Sequence, residues 1–288
     1  MAPTPRDFLE LTKPRLSSLV LVSAVVGMLL APSGPPELAE AIVIVLAIAA
    51  VVGGANACNA YYERDLDALM ERTRQRPLPA GRLRPAHALV FGAVLGLAGA
   101  AALWFIQPLA SALSVLAFVS YVWIYTPLKR RTSLCTLIGA VPGALPPAIG
   151  WTAVSGAMDP GAWVLFAWLF LWQPPHFFAL AFLYEDDYRK AGMPMLPVVR
   201  GRGGIVERLM LLSAVLLLPL PLLLVPWSRA GSITLVTVPI LGLGFVLVVA
   251  REWLRGTTEE TARASFTASI AYLGLAFVAL LLDSAVAG

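Results

Sequence analysis

The chain has 288 residues, 59% hydrophobic and only 13% charged, with a mean hydropathy of +0.79 and a formal net charge of +4. Soluble domains carry about a quarter charged residues, so this composition excludes an ordinary soluble globule, a disordered chain and a disulfide-stapled secreted domain. The basic balance fits Arg and Lys held in loops on one membrane face better than nucleic-acid binding, and the chain reads as a polytopic membrane protein.

The first fifteen residues are polar and carry proline, with no cleavable leader and no Arg-rich transit pattern, which favours a bacterial chain. A bilayer core of roughly 30 Å needs about 20 apolar helical residues. Runs of that order fall at 16–34, 38–61, 86–106, 108–127, 133–153, 161–183, 207–226, 231–250 and 266–286. The expectation is an all-α bundle of nine transmembrane helices forming a single domain over 1–288. Pro142, Pro146 and Pro147 interrupt the fifth run and Pro174 and Pro175 the sixth, which predicts bends. Cys58 and Cys135 lack any metal-ligand or redox spacing and read as core residues. Trp104, Trp123, Trp151, Trp163 and Trp227 lie near run ends as interface anchors, and His87 as a headgroup contact. Trp168 and Trp172 sit deeper, where they could line a ring pocket.

Orientation follows from the basic residues. With nine spans, the side holding the N-terminus and every even-numbered loop collects all Lys and Arg except Arg229, and that side is assigned to the cytoplasm. Two polar segments, about 63–85 and 184–206, then face the cytoplasm. Half of all the charged residues fall between Glu63 and Arg84 or between Glu185 and Arg208.

In the first segment Asn56, Asn59, Glu63 and Asp67 are spaced 3, 4 and 4. At 100° per residue they share an arc of about 80° on one helix face. Like charges at Glu63 and Asp67 repel unless a cation intervenes, and amides at the inner end of an apolar span are costly without partners. In the second segment His176, Leu180, Tyr184 and Asp187 share a similar arc, and Asp187 follows Asp67 by 120 residues. That interval suggests two four-helix halves plus a ninth helix, with a site on their shared axis. Hard divalent cations such as Mg²⁺ take oxygen ligands and bridge to phosphate oxygens, while Arg and Lys neutralise the remaining phosphate charge. The residues thus point to a Mg-diphosphate site, with Arg72, Arg74, Arg76, Lys129 and Arg130 as candidate cations, at the cytoplasmic mouth of an apolar cavity.

The Asn59-x-x-x-Glu63-x-x-x-Asp67 face, with Arg72-Thr-x-x-Arg76-Pro-Leu after it, resembles the first acidic motif of the UbiA-type intramembrane prenyltransferases. Leu11-Thr-Lys-Pro-Arg15 and Tyr125-Thr-Pro-Leu-Lys129-Arg130 are similar to further signatures of that family. Pro175-His176-Phe and Asp187-Tyr-x-x-Ala-Gly-Met-Pro-Met-Leu-Pro-Val resemble its haem-farnesylating branch more narrowly. Glu63 departs from the wider family, whose usual residue there is Asp.

The resemblance implies farnesyl diphosphate and haem B as substrates and a Mg-dependent enzyme of the inner membrane. It implies that Asn59, Glu63, Asp67 and Asp187 are catalytic residues and the Mg²⁺ ligands, and that Arg15, Arg72, Arg76, Lys129 and Arg130 bind the diphosphate. A downstream haem A synthase is an implied partner, alongside membrane lipid; no nucleic acid is. His176 has two readings: a buried imidazole bonded to a carbonyl freed by Pro174 or Pro175, or a haem contact, including an axial ligand to its iron. On a continuous helix it would stand about 16 Å from Asp187, a distance suited to a porphyrin and not to the diphosphate. The rival functions are a quinone-precursor prenyltransferase and a secondary transporter, although transporters place their ionisable groups near the midplane rather than at the mouth.

Overall fold

Five helices open on a proline, the residue whose missing N–H costs nothing at a first helical turn. The computed structural model describes residues 3–286. The first five helices are α1 (Pro5–Leu11), α2 (Pro14–Leu30), α3 (Leu38–Asp67), α4 (Pro85–Ile106) and α5 (Pro108–Val119). A π-helical turn at Ser120–Tyr125 leads from α5 into α6 (Thr126–Leu128). The chain continues through α7 (Cys135–Ser155), α8 (Pro160–Leu183), α9 (Glu185–Lys190), α10 (Leu196–Arg200), α11 (Ile205–Leu216) and α12 (Leu220–Leu224). It ends in α13 (Ser232–Arg255) and α14 (Glu259–Val286), with no strand among the described residues.

Seven segments are long and apolar enough to cross a membrane singly. Two bent pairs, α1 with α2 at 53° and α11 with Leu220–Trp227 at 40°, bring the count to nine among the described residues. This is the predicted number. The boundaries differ where helices outrun their apolar stretch: α3 continues past residue 61 to Asp67, and α14 begins at Glu259 rather than 266. Both extensions are polar turns that stay helical because the backbone ladder is already nucleated. Pro142, Pro146, Pro147, Pro174 and Pro175 lie within α7 and α8, each of which runs through them as one helix. Buried Gln173 ties these two together, donating to the carbonyls of Ala140 (2.9 Å) and Leu169 (3.2 Å).

Consecutive long helices pack side by side, and α14 returns to both α2 and α8. Small residues set the closest approaches. A Cβ at Gly150 would lie 1.9 Å from the Ala24 carbonyl oxygen, and one at Gly27 equally close to that of Pro147. The α2 and α7 backbones therefore meet with no room for a methyl group, the usual way membrane helices gain contact area. One apolar core joins α8, α11, α13 and α14 around Trp168, Phe178 and Met210, and another joins α2, α3 and α7 around Ile44, Ile48 and Ile149. Large apolar side chains such as Leu46, Leu97, Phe105 and Ile240 point outward, as a lipid-facing surface requires. The protein is a multi-pass membrane protein.

Cys58 and Cys135 are buried and unbonded, as the sequence suggests, and His87 lies on the surface. Trp104, Trp123, Trp163 and Trp227 are exposed, but Trp151 is fully buried and donates to Asp159 Oδ2 at 3.1 Å. Proximity to a helix end does not place a ring on the surface when the half-buried carboxylate that caps the next helix takes its N–H.

Candidate active site

The last turns of α3 carry the polar face that the spacing predicts. Asn56, Asn59, Glu63 and Asp67 are all buried, at 4%, 1%, 4% and 2% exposure. Buried polar groups must find partners, and here each partner comes from another segment. Asn56 donates to the Thr12 carbonyl and to Ser17 Oγ. Asn59 donates to Thr126 Oγ1 at 2.9 Å and accepts from Lys13 Nζ at 2.9 Å. Glu63 accepts from Lys129 Nζ at 2.8 Å. Asp67 accepts from Arg76 Nη1 through both oxygens, at 3.0 and 2.8 Å.

Local sequence explains how these partners arrive. Lys13 stands between α1 and α2 with φ 50° and ψ 60°, the one non-glycine residue of positive φ among those described. That left-handed kink turns its side chain onto α3. On the other side, Pro127 cannot supply the N–H that an α-turn would send to Trp123. The chain takes a π-turn there instead, a form frequent at functional sites. The Thr126 hydroxyl donates to the Tyr121 carbonyl at 2.8 Å and so offers a lone pair to Asn59. Lys129 follows, its Nζ 5.0 Å from the Tyr125 ring centroid. Burial opposes the charge on Lys129, but the adjoining Glu63 carboxylate, with Tyr125 and Tyr121, more than offsets it and holds the ammonium well above the ordinary lysine range.

A cavity of about 170 Å³ opens beside this face, bordered by Lys13, Ala60, Asp67, Arg76 and the prolines Pro77 and Pro79. Pockets for drug-sized ligands run to about 300 Å³ or more, so this one suits a compact anionic head rather than a fifteen-carbon tail. Arg82 pairs with Glu10 at 2.6 Å and fastens α1 to the loop that carries Arg76.

The remaining candidates are more scattered. Arg72 is exposed, its guanidinium 5.1 Å from the Tyr184 ring centroid. Arg130 donates to the Tyr62 carbonyl at 2.9 Å. Arg15 is exposed on the first turn of α2 and its side chain makes no polar contact among the described residues. Asp187 does not share a helix with His176. The chain breaks at Tyr184 (φ −117°, ψ 29°), α8 ends at Leu183 and Asp187 rides on α9. The predicted continuous face from His176 to Asp187 is thus interrupted, and the 16 Å separation along one helix does not apply. A buried cluster of Met70, Cys135, Met193 and Met195 packs this second segment against the first.

The oxygen donors of Asn59, Glu63 and Asp67 have the hard character that Mg²⁺ takes. Among the described residues no three Asp, Glu, His or Cys side chains converge on one point, so Glu63, Asp67 and Asp187 do not form a closed cage. The donor set fits an ion held by one or two carboxylates and completed by phosphate oxygens, with Lys13 on the Asn59 amide, and Lys129 and Arg76 on the carboxylates, within reach of the same region.

His176, on α8, bonds neither carbonyl freed by the proline pair. Its Nδ1 lies 2.8 Å from Ser269 Oγ on α14. The ring stacks on Trp172 (centroids 4.4 Å apart) and on Phe266 (4.8 Å). Trp168 is fully buried, and Trp172 is the one that flanks the histidine. Sequence reasoning omits Lys13, Thr126, Ser269 and Phe266 as site residues. Lys13 lies inside the Leu11-Thr-Lys-Pro-Arg15 signature, of which only Arg15 is a predicted site residue, and Ser269 carries no sequence signal at all.

Residues 20–281 match the UbiA prenyltransferase family. The chain is 47% identical over 278 residues, 96% of its length and 94% of the relative's, to the protoheme IX farnesyltransferase of Myxococcus xanthus (strain DK1622). It is 45% identical to the enzyme of the same name from Anaeromyxobacter sp. (strain Fw109-5), covering 97% and 94%. Its fold is similar to that of a solved digeranylgeranylglyceryl phosphate synthase, with TM-score 0.81, 18% identity and coverage of 97% and 98%. It is also similar to a UbiA homologue from Archaeoglobus fulgidus bound to DMAPP and Mg²⁺, with TM-score 0.67, 17% identity and coverage of 95% and 99%. With up to nine apolar spans among the described residues, a buried Asn-Glu-Asp face clasped by three cations and a family match over residues 20–281, the chain belongs to the UbiA prenyltransferase family.

Proposed function

We propose that this protein transfers the farnesyl group of farnesyl diphosphate to a vinyl group of haem B, giving haem O and diphosphate. The relatives named protoheme IX farnesyltransferase support the choice of substrates. One structural observation carries the chemistry: three buried oxygen-bearing side chains on α3, each held by a basic residue, beside a cavity the size of a diphosphate head.

Asn59, Glu63 and Asp67, with Asp187 brought in from α9, would hold Mg²⁺, which when bound neutralises charge on the departing diphosphate. Lys13, Arg76 and Lys129 stabilise the same oxygens as the C1–O bond of the farnesyl group breaks, the stage at which fixed charges contribute most. Arg72, Arg130 and Arg15 stand farther out and attract the anion to the mouth. The allylic carbon then bonds to the terminal vinyl carbon of haem B. The cation left beside the porphyrin takes the oxygen of one water molecule, and a proton is released. Apolar helices around the path exclude other water and limit hydrolysis of the farnesyl cation. His176, with Trp172 and Phe266, supports a porphyrin site on α8 and α14.

The reading extends to one domain spanning the chain, placed in the inner membrane with the N-terminus and both polar segments cytoplasmic. The product suits a membrane-bound enzyme that modifies haem further. Mass spectrometry of haem from membranes overexpressing the protein tests the proposal. Haem O is expected to accumulate with wild type and not with Asp67→Asn or Asp187→Asn at equal extractable protein. Haem B alone in every case, or a prenylated quinone precursor instead, overturns it.

A further inference from the structure

His176 is held by a residue that decides which of its nitrogens is free. Ser269 on α14 is fully buried, and its hydroxyl donates to the Phe266 carbonyl at 2.6 Å. A serine has one hydroxyl proton. With that proton committed, the 2.8 Å contact between Ser269 Oγ and His176 Nδ1 is made by the imidazole donating its own N–H to the serine oxygen. The neutral ring is therefore the Nδ1–H tautomer, and Nε2 carries a lone pair. Among the described residues Nε2 has no hydrogen-bond partner, while the ring keeps partial exposure.

The same serine also fixes the surroundings. Its backbone carbonyl accepts the indole N–H of Trp172 at 2.8 Å, one turn before His176 on α8. Trp172 covers one part of the imidazole at an interplanar angle of 22°, Phe266 stacks at 28°, and Phe177 meets it edge-on at 79°. The ring thus cannot rotate without breaking the serine bond and both stacks. A metal-binding histidine usually donates its second N–H to an acceptor that fixes tautomer and direction. Here that acceptor is already in place.

We propose that His176 Nε2 ligates the iron of the haem substrate, and that Ser269 is the positioning residue that holds the required tautomer. This inference rests on the haem-farnesylating reading and names how that substrate is held. No bond to carbon is made or broken by either residue. The ring donates an electron pair to iron while the vinyl group reacts elsewhere on the porphyrin.

Ferric haem B titrated into the purified full-length protein, followed by its Soret band, gives the test. Wild type is expected to show a nitrogen-ligated spectrum at one equivalent. His176→Ala should lose that spectrum and regain it with added imidazole. Ser269→Ala should weaken haem binding about 10- to 100-fold, with the ligated spectrum returning at saturation, and Ser269→Thr should stay near wild type. If the alanine variant does not fold, Ser269→Cys, with a weakly accepting thiol of similar size, is expected to show the same weakening. An unchanged spectrum in His176→Ala overturns the ligand assignment. Unchanged affinity in Ser269→Ala or Ser269→Cys overturns the positioning role. Wild type that makes haem O without a nitrogen-ligated spectrum overturns this inference and leaves the prenyltransferase reading standing. Ligation through His176 without farnesyl transfer does the reverse.

Discussion

Arg76 grips both carboxylate oxygens of Asp67 through a single nitrogen, at 3.0 and 2.8 Å, across nine residues of sequence. The two partners are not equally placed, since the Asp67 side chain is 2% exposed and that of Arg76 32%. Removing the arginine strands a buried carboxylate; neutralising the aspartate leaves a guanidinium that can reach water. Breaking a buried pair costs about 3–5 kcal/mol, and the partly wet arginine puts this one at the low end. Arg76→Ala should therefore lower the thermal midpoint in detergent clearly more than Asp67→Asn. Both should abolish haem O formation. Midpoints equal to that of wild type in both variants would show that the pair adds nothing to the fold.

Lys13 separates backbone from side chain in a second prediction. A non-glycine residue in the left-handed region costs about 1–2 kcal/mol, and Lys13 has φ 50°. Lys13→Gly relieves that cost while removing the ammonium from Asn59, so its thermal midpoint should hold or rise as farnesyl transfer falls at least tenfold. Lys13→Met should lose activity to the same degree with no gain in stability. If Lys13→Gly keeps wild-type turnover, Lys13 serves the bend and not the substrate.

The Lys129–Glu63 pair sets a pH window. The folded-state pKa of Lys129 is raised: burial opposes its charge, but Glu63 at 2.8 Å, together with Tyr125 and Tyr121, more than offsets it. A raised pKa contributes stability that is fully present below the unfolded lysine value of about 10.4 and is lost as pH rises through the folded value. Measured in a Lys13→Met background, which removes the other ammonium beside Glu63, the stability lost on Lys129→Met should therefore stay constant from pH 6 to 10 and narrow above. Thermal unfolding across that range checks it, and a loss that shrinks by pH 8 would mean that Lys129 titrates early.

Thr126 is the hydroxyl through which the π-turn reaches the site. Thr126→Val keeps the shape and deletes the acceptor of Asn59 Nδ2. An unsatisfied buried donor costs about 1–3 kcal/mol. Stability should fall by that order and haem O formation several-fold, measured on detergent-purified protein; unchanged values would mean that Asn59 finds another partner.

The α3 face was readable because a helix converts spacings of 3 and 4 into a shared direction, which holds whatever packs around it. The span count was readable for the same kind of reason, since the bilayer acts on local composition. What escaped depends on contacts between segments distant in sequence. Lys13 sits in a recognisable signature, but its partner is set by a positive φ that turns it onto Asn59, 46 residues away. Ser269 lies 93 residues from the histidine it holds. The extrapolated face from His176 to Asp187 failed at Tyr184, where the helix breaks before the acidic turn begins. Buried carboxylates at Glu207 and Glu252 drew no attention in the sequence. Glu207 caps the start of α11 through the N–H groups of Gly203 and Gly204, and Glu252 accepts from Ser265.

The cation clasp also governs metal binding. Asn59 Oδ1, Glu63 Oε1 and both oxygens of Asp67 already accept from Lys13, Lys129 and Arg76. A divalent cation alone would have to enter beside three positive charges and displace them from their partners. A diphosphate brings oxygens that those three groups can take up, freeing carboxylates for the ion. Mg²⁺ should therefore bind weakly by itself and at least tenfold more tightly with inorganic diphosphate present, and by linkage Mg²⁺ should strengthen diphosphate binding by the same factor. Isothermal titration of each ligand with and without the other measures both arms. Chelation should stop haem O formation, and added Mg²⁺ should restore it. Tight Mg²⁺ binding without diphosphate would mean that the carboxylates do not need the exchange, and that the clasp is only a structural staple.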